Sequence, residues 1–145
     1  MIAARLITAA QLICAVIACI PLRWPPGGTY WGLLPASAGA VLLLWTLRHN
    51  RLSNFNILPE LAEHAQLVTT GPYRQVRHPM YSALLLGAVG MALVHGTLAQ
   101  LLAAVALIPV LLIKTSMEER HLRQQFPGYA EYAHRSGRFL PRFRS

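Results

Sequence analysis

The chain has 145 residues, enough for one domain and not comfortably for two. It is 54% hydrophobic and 12% charged, against the ~25% charge of ordinary soluble domains. Its formal net charge is +8 with no Asp, and the basic residues avoid the long apolar segments, so a membrane explains both features where nucleic-acid binding would explain the charge alone. In chain order, segments 6–22 and 30–47 contain no charge. At 17 and 18 residues they approach the ~20 needed to cross a bilayer. Cys14 and Cys19, in the first segment, fit packing residues better than a disulfide or a metal site. Arg23-Trp24-Pro25-Pro26-Gly27-Gly28 is a turn-rich linker, and Trp24, Tyr30 and Trp31 suit an interfacial aromatic belt. The polar stretch 48–78 follows. It predicts a short helix over 59–65, with Pro59 in its first turn, and an extended piece over 66–73 closed by Gly71-Pro72. Residues 79–113 carry only His95 and the Tyr81 phenol as ionisable groups. That stretch is too long for one span and is interrupted by His95-Gly96-Thr97, which predicts a tight hairpin of spans 79–94 and 98–113. Each arm reaches ~24 Å, short for a ~30 Å hydrocarbon core. The tail, 114–145, continues the fourth span, turns at Pro127-Gly128, forms a short helix over 129–135 and ends extended through Arg138-Phe139-Leu140-Pro141.

The expected fold is therefore all-α: one membrane domain, 1–145, of about four transmembrane helices, with a loop and a C-terminal tail gathered on one side. With the N-terminus inside, 12 of the 13 basic residues fall on the inner side and only Arg23 on the outer. By the positive-inside rule both termini, the loop and the tail are cytoplasmic, as in a protein of a bacterial-type inner membrane. A cleaved signal peptide is the competing account of the first segment, and Val16-Ile17-Ala18-Cys19 looks somewhat like a lipoprotein cleavage site. Three further apolar spans follow, however, and that cleavage would start the chain mid-membrane.

The chemistry lies in the polar segments. His78 stands just before Pro79, at the membrane surface beside a helix start. Lys114 and Glu118 are four apart and share a helix face. Glu118 and Glu119 sit near a helix C-terminus, where the dipole disfavours acids, and such local rule-breaks mark functional sites. Gly71-Pro72-Tyr73, then Arg77-His78-Pro79-Met80-Tyr81, then Glu118-Glu119 with Phe126, Tyr129 and Tyr132, resembles the isoprenylcysteine carboxyl methyltransferases and the related phospholipid methyltransferases. The resemblance covers roughly 67–141, about half the chain, and the first two spans carry no identifying motif.

The resemblance implies S-adenosylmethionine as methyl donor, bound at the cytoplasmic face over the last hairpin. It implies donor contacts from positions matching 65–68, from Tyr73, from His78 to Tyr81 and from Glu118. It ties a basic residue at the position of Lys114 to an acceptor carboxylate, although Arg would be the closer match there. Ala83 stands where the family usually has Gly. The candidate donor-binding residues are thus Gln66, Leu67, Val68, Tyr73, Arg77, His78, Pro79, Met80, Tyr81, Glu118 and Glu119. Lys114 and Arg138 are the candidates for orienting the acceptor, and no metal is called for.

Elementary chemistry fits these roles. A carboxylate such as Glu118 accepts hydrogen bonds from the donor's amine or hydroxyls. Backbone groups of 66–68 can read an adenine edge. The start of the third span offers free N–H groups and a positive dipole end for a carboxylate, with Arg77 and His78 adding charge. Tyr73 and Tyr81 can pack on the ring or the sulfonium. The expected activity is methylation of a lipid-like, membrane-embedded acceptor entering laterally, by carboxyl O-methylation; N-methylation of a phospholipid headgroup is the alternative acceptor chemistry. A nicotinamide-dependent membrane reductase is a second class, since some have similar C-terminal polar segments, although no Gly-rich phosphate loop is present. A membrane subunit without activity is the third.

Overall fold

The computed structural model describes residues 2–22, 27–49 and 67–142. The short helix expected over 59–65 and the candidate Gln66 lie outside the described residues. The chain is an all-α membrane bundle. Helix α1 is Ile2–Cys19, α2 is Leu33–His49 with a 3-10 turn Tyr30–Gly32 before it, and α3 is Pro79–His95. Helix α4, Leu98–Gln125, is followed by the short α5, Tyr129–Arg135. Among the described residues three helices, Ile2–Cys19, Tyr30–His49 and Leu98–Gln125, are long and apolar enough to cross a membrane, while Pro79–His95 is a shorter apolar helix. The apolar part of α4 ends at Ile113, and its last three turns continue beyond it as a polar rod from Lys114.

Packing runs α2 on α3, α3 on α4, and α1 against both α4 and α3. The α2–α3 contact is made by small residues. A Cβ added at Gly90 would lie 2.5 Å from the Ala36 amide nitrogen, and one at Gly39 would lie 2.7 Å from the Ala83 carbonyl oxygen. Lipid gives no hydrophobic drive between helices, so such close backbone approach supplies the dispersion contacts that hold them. The α1–α4 contact is different. Ala18, Leu107 and Leu111 are fully buried in its core, but polar bridges also cross it. Gln100 donates to the Ile20 carbonyl at 2.6 Å, and Lys114 donates to Gln11 at 2.8 Å. The outer faces expose Leu12, Ile13, Val41, Trp45, Leu102 and Val105, as a lipid-facing surface requires.

The two ends of the bundle are closed in different ways. At the hairpin end, Gly96 takes a left-handed conformation, φ 69°, and terminates α3. The last carbonyls of α3 would otherwise lack partners. The amides of Gly27, Gly28 and Thr29 donate to His95, Val94 and Leu93 at 3.2, 3.1 and 2.8 Å. Thr97 caps α4 by accepting from the Gln100 amide at 3.3 Å. At the opposite end the loop and the tail join. Val76 and Gly137 form a parallel bridge, with Arg77 N–H donating to Gly137 at 2.8 Å and His78 N–H to Arg138 at 3.1 Å. Ser82 Oγ adds a bond to the Phe139 carbonyl at 2.7 Å, and Tyr132 hydroxyl one to the Tyr73 carbonyl at 2.7 Å.

Candidate functional site

The pairing of loop and tail brings the motif residues together where α3 begins and α4 leaves its apolar segment. Successive residues on a helix point ~100° apart, so the adjacent acids Glu118 and Glu119 meet different neighbours. Glu119 faces the loop and tail. Its carboxylate accepts from Arg77 Nε at 3.0 Å, from Arg138 Nη2 at 3.1 Å and Nε at 3.2 Å, and faces His78 Nε2 at 3.2 Å. Burial raises its pKa, but the bonds from His78, Arg77 and Arg138 outweigh that and hold it at about 2. The Arg77 guanidinium also donates to the Ala133 carbonyl at 2.8 Å and to the Ser136 carbonyl. Glu119 is thus the knot that ties loop, α4 and tail.

Glu118 faces inward along α3. It accepts from the Tyr81 hydroxyl at 2.6 Å and lies 3.5 Å from His78 Nδ1. No arginine bonds to it among the described residues, and its side chain is 16% exposed against 4% for Glu119. Burial pushes its carboxyl above the usual carboxylate range, opposed by His78, Tyr81 and Lys114. His78 is buried between the two acids and stacks on Tyr81, with ring centroids 5.7 Å apart. A neutral imidazole carries one N–H and can donate to only one of the two carboxylates at a time. Lys114, 2% exposed, places its ammonium 5.6 Å from the Tyr81 ring centroid.

The start of α3 is less open than the sequence suggests. Pro79 has no N–H, and the amides of Tyr81 and Ser82 both donate to the His78 carbonyl at 3.0 Å. This leaves the Met80 amide as the first-turn donor for a ligand. Leu67 and Val68, half-buried, lead into the Gly71–Arg74 turn, in which Tyr73 is likewise half-buried. The turn is anchored by α2: His49 Nε2 lies 2.9 Å from Thr70 Oγ1, and a Cβ at Gly71 would lie 2.6 Å from the His49 ring. Arg138 is drawn to Glu119 and reaches Ser116 Oγ at 3.3 Å.

Three participants carry no motif signal, His49, Ser82 and Gln11; Tyr132 belongs to the motif, but its clamp on the Tyr73 carbonyl is not legible there. Gln11 alone had a visible cue, as a long amide inside an otherwise apolar segment. Among the described residues no group of three His, Cys, Asp or Glu could hold a metal ion.

The family model for phospholipid methyltransferases matches residues 29–128, which takes in α2, α3 and α4 with His78, Tyr81, Lys114, Glu118 and Glu119 but stops before α5 and Arg138. Similar proteins include the cobalt-zinc-cadmium resistance protein CzcN of Cupriavidus metallidurans, 44% identical over 79 residues, which are 52% of this chain and 36% of that protein. The nickel-cobalt-cadmium resistance protein NccN of Alcaligenes xylosoxydans xylosoxydans is 42% identical over 80 residues, 53% of this chain and 37% of that protein. The matched part spans little more than a third of the length of these curated relatives.

Proposed function

The chain belongs to the phospholipid methyltransferase family, and we propose that it transfers a methyl group from S-adenosylmethionine to a lipid-like acceptor held in the membrane. The observation that carries this is the division of labour between the two acids. Glu119 is neutralised by its own cations, while Glu118 keeps a partly exposed carboxylate with no arginine on it among the described residues. A half-buried carboxylate left in that state suits a cationic partner, and the donor's ammonium or ribose hydroxyls fit it. The Met80 amide suits the donor's carboxylate, and the 67–73 approach suits the adenosine. S-adenosylmethionine would supply an electrophilic methyl group, open to in-line attack by an acceptor lone pair with the sulfur leaving as a neutral thioether.

The protein's part is placement and electrostatics, with no acid–base triad. Tyr81 and His78 orient Glu118. Arg77, Arg138 and Glu119 fasten the tail so that His78 keeps its place. Lys114, below Tyr81, faces the acceptor. The polar end lies on the cytoplasmic side, where the donor is water-soluble and accessible, and the acceptor arrives from the bilayer. The burial of Lys114 favours an anionic acceptor and carboxyl O-methylation; the family's name favours a phospholipid headgroup as the second acceptor. Lipid mass spectrometry after expression separates them, since methylated ethanolamine lipids are expected only for the second.

Calorimetry on the pure, detergent-solubilised chain tests the donor site. S-adenosylhomocysteine is expected to bind, and Glu118→Gln to weaken it about tenfold or more, as for loss of a charge-assisted hydrogen bond. Absence of binding to folded wild-type protein overturns the proposal.

A further inference from the structure

We propose that the tail segment Phe139–Arg142 is a membrane-binding latch. Leu140 enters the bilayer just below the headgroups, Arg142 pairs with lipid phosphates, and an anionic bilayer surface is the partner that keeps the tail docked. Only the coupling of this latch to the donor rests on the methyl-transfer reading above. The depth of the segment is set by α3. The Phe139 carbonyl accepts from Ser82 Oγ at 2.7 Å, and its ring lies 6.3 Å from that of His78. Its side chain, like those of Tyr81 and Leu85, packs against the apolar core of α1, α3 and α4. Ser82 is the fourth residue of α3, so it stands ~4.5 Å inside the start of an apolar helix. The face that carries Ser82 recurs at positions 86, 89 and 93. Leu86, Val89 and Leu93 are exposed there, as lipid-facing residues are, whereas Ser82 is buried with the tail bonded to it. The tail therefore rests at the end of a lipid-facing stripe.

The chemistry of the segment selects the partner. Leu140 is 78% exposed, the most exposed leucine among the described residues. A lone surface leucine needs no partner in water. At this depth, however, its surroundings are headgroup and acyl chain, where its side chain is better placed than in water. No acid follows Glu131 in the sequence, while Arg135, Arg138 and Arg142 do. Arg135 pairs with Glu131 and Arg138 with Glu119. Arg142 is exposed, with no carboxylate on it among the described residues. A leucine and an arginine two residues apart, with no acid beside them, fit a phosphate-rich surface: the leucine below the phosphates and the guanidinium among them. The segment also reaches the site. Arg138 holds Glu119 at 3.1 Å, and the His78 amide donates to the Arg138 carbonyl at 3.1 Å. Gly137 lets the chain double back, since a Cβ there would collide with the Leu140 carbonyl oxygen. Residues 137–140 thus move as one unit. A bilayer that holds Leu140 and Arg142 favours the docked tail, and through Arg138 it favours the placement of Glu119 and His78.

The test uses the full chain in two kinds of nanodisc, phosphatidylcholine alone and phosphatidylcholine mixed with phosphatidylglycerol. An environment-sensitive nitrobenzoxadiazole label is attached through Leu140→Cys in a Cys14→Ala, Cys19→Ala background. In the anionic discs the label should emit at shorter wavelength than in the neutral ones. Lipids carrying a nitroxide near the headgroup should quench it more than lipids carrying one at the chain end. Arg142→Glu should remove the difference between the discs. On unlabelled protein, S-adenosylhomocysteine should bind about threefold tighter in the anionic discs. That ligand carries no net charge, so the surface itself does not concentrate it. About 1 M salt should erase the gain, as should Leu140→Asp or Arg142→Glu, while Leu140→Ile keeps it. A label that emits alike in both discs overturns the proposal; if it also escapes both quenchers, Leu140 faces water, as it would for a protein partner. Equal affinity of wild-type protein for S-adenosylhomocysteine in the two discs overturns it as well, since a tail held by the protein alone gives that result. If the labelled variant does not fold, the wild-type affinities decide. Failure of S-adenosylhomocysteine to bind wild-type protein in either disc counts against the donor assignment, and the label then decides the latch by itself.

Discussion

The two ends of the bundle meet the same requirement with opposite means. Every buried polar group at a membrane boundary needs a partner. The hairpin end meets this for the backbone only: the amides of 27–29 cover the last carbonyls of α3, and Thr97 covers the start of α4, while both ring nitrogens of the buried His95 lack a hydrogen-bond partner among the described residues. The loop-and-tail end meets it with charge: Arg77, His78 and Arg138 converge on Glu119. Backbone closure needs close approach and tolerates no side chain. Charge closure needs every ion present and, once complete, leaves the neighbouring Glu118 available. The first arrangement makes a stable end of the bundle and the second makes a site.

Removing Glu119 should therefore do the most damage. Glu119→Ala leaves two arginines and His78 around an empty place, and breaking one partner of a buried ion cluster typically costs about 3–5 kcal/mol. The expected outcome in detergent is early unfolding of the tail, seen as rapid proteolysis after α4, together with loss of S-adenosylhomocysteine binding. If the tail stays protected, the charge knot is not what closes this end.

The corresponding test at the hairpin end is Gly28→Ala. The new Cβ would fall 1.9 Å from the Leu93 carbonyl oxygen and 2.7 Å from that of Val94, both backbone atoms that cannot rotate away. The 27–29 segment must move, so a loss of about 1–3 kcal/mol is expected. Affinity for S-adenosylhomocysteine, measured on the folded fraction, should stay within about twofold of wild type. A large loss of affinity would mean that the two ends are coupled through α3.

These two tests also separate what the sequence reveals from what it hides. The apolar runs and the His95-Gly96-Thr97 break disclose the helices, because a membrane fixes both their length and their composition. The breaker-free run past Lys114 similarly announces the polar extension of α4. The parallel pairing of 75–78 with 137–138 has no local signature, since it joins segments some sixty residues apart and is only one bridge long. The unlike environments of Glu118 and Glu119 are hidden for the same reason: as a sequence pair they are equivalent, and only the docked tail makes one a knot and leaves the other open. Arg77 and Arg138, which as isolated basic residues suggest ligand contacts, are both engaged with Glu119. The helix start that promises several free amides has its Tyr81 and Ser82 amides bonded to the His78 carbonyl.

Acid titration gives the smallest effect and distinguishes the neighbouring acids most directly. Glu119 has a depressed pKa, so its contribution to docking the tail is complete above about pH 4.5 and is lost as the pH falls towards about 2. Glu118 is shifted the other way, so in the fold it gives up its proton only above the usual carboxylate range. If Glu118 holds the donor's ammonium, which S-adenosylhomocysteine keeps, affinity for S-adenosylhomocysteine should fall as the pH is lowered from neutral towards the usual carboxylate range, while the tail remains resistant to protease. In Glu118→Gln that slope should flatten. Loss of affinity and of tail protection at the same pH would mean that the two acids act as one unit, and that the separation between a closing knot and an open carboxylate does not hold.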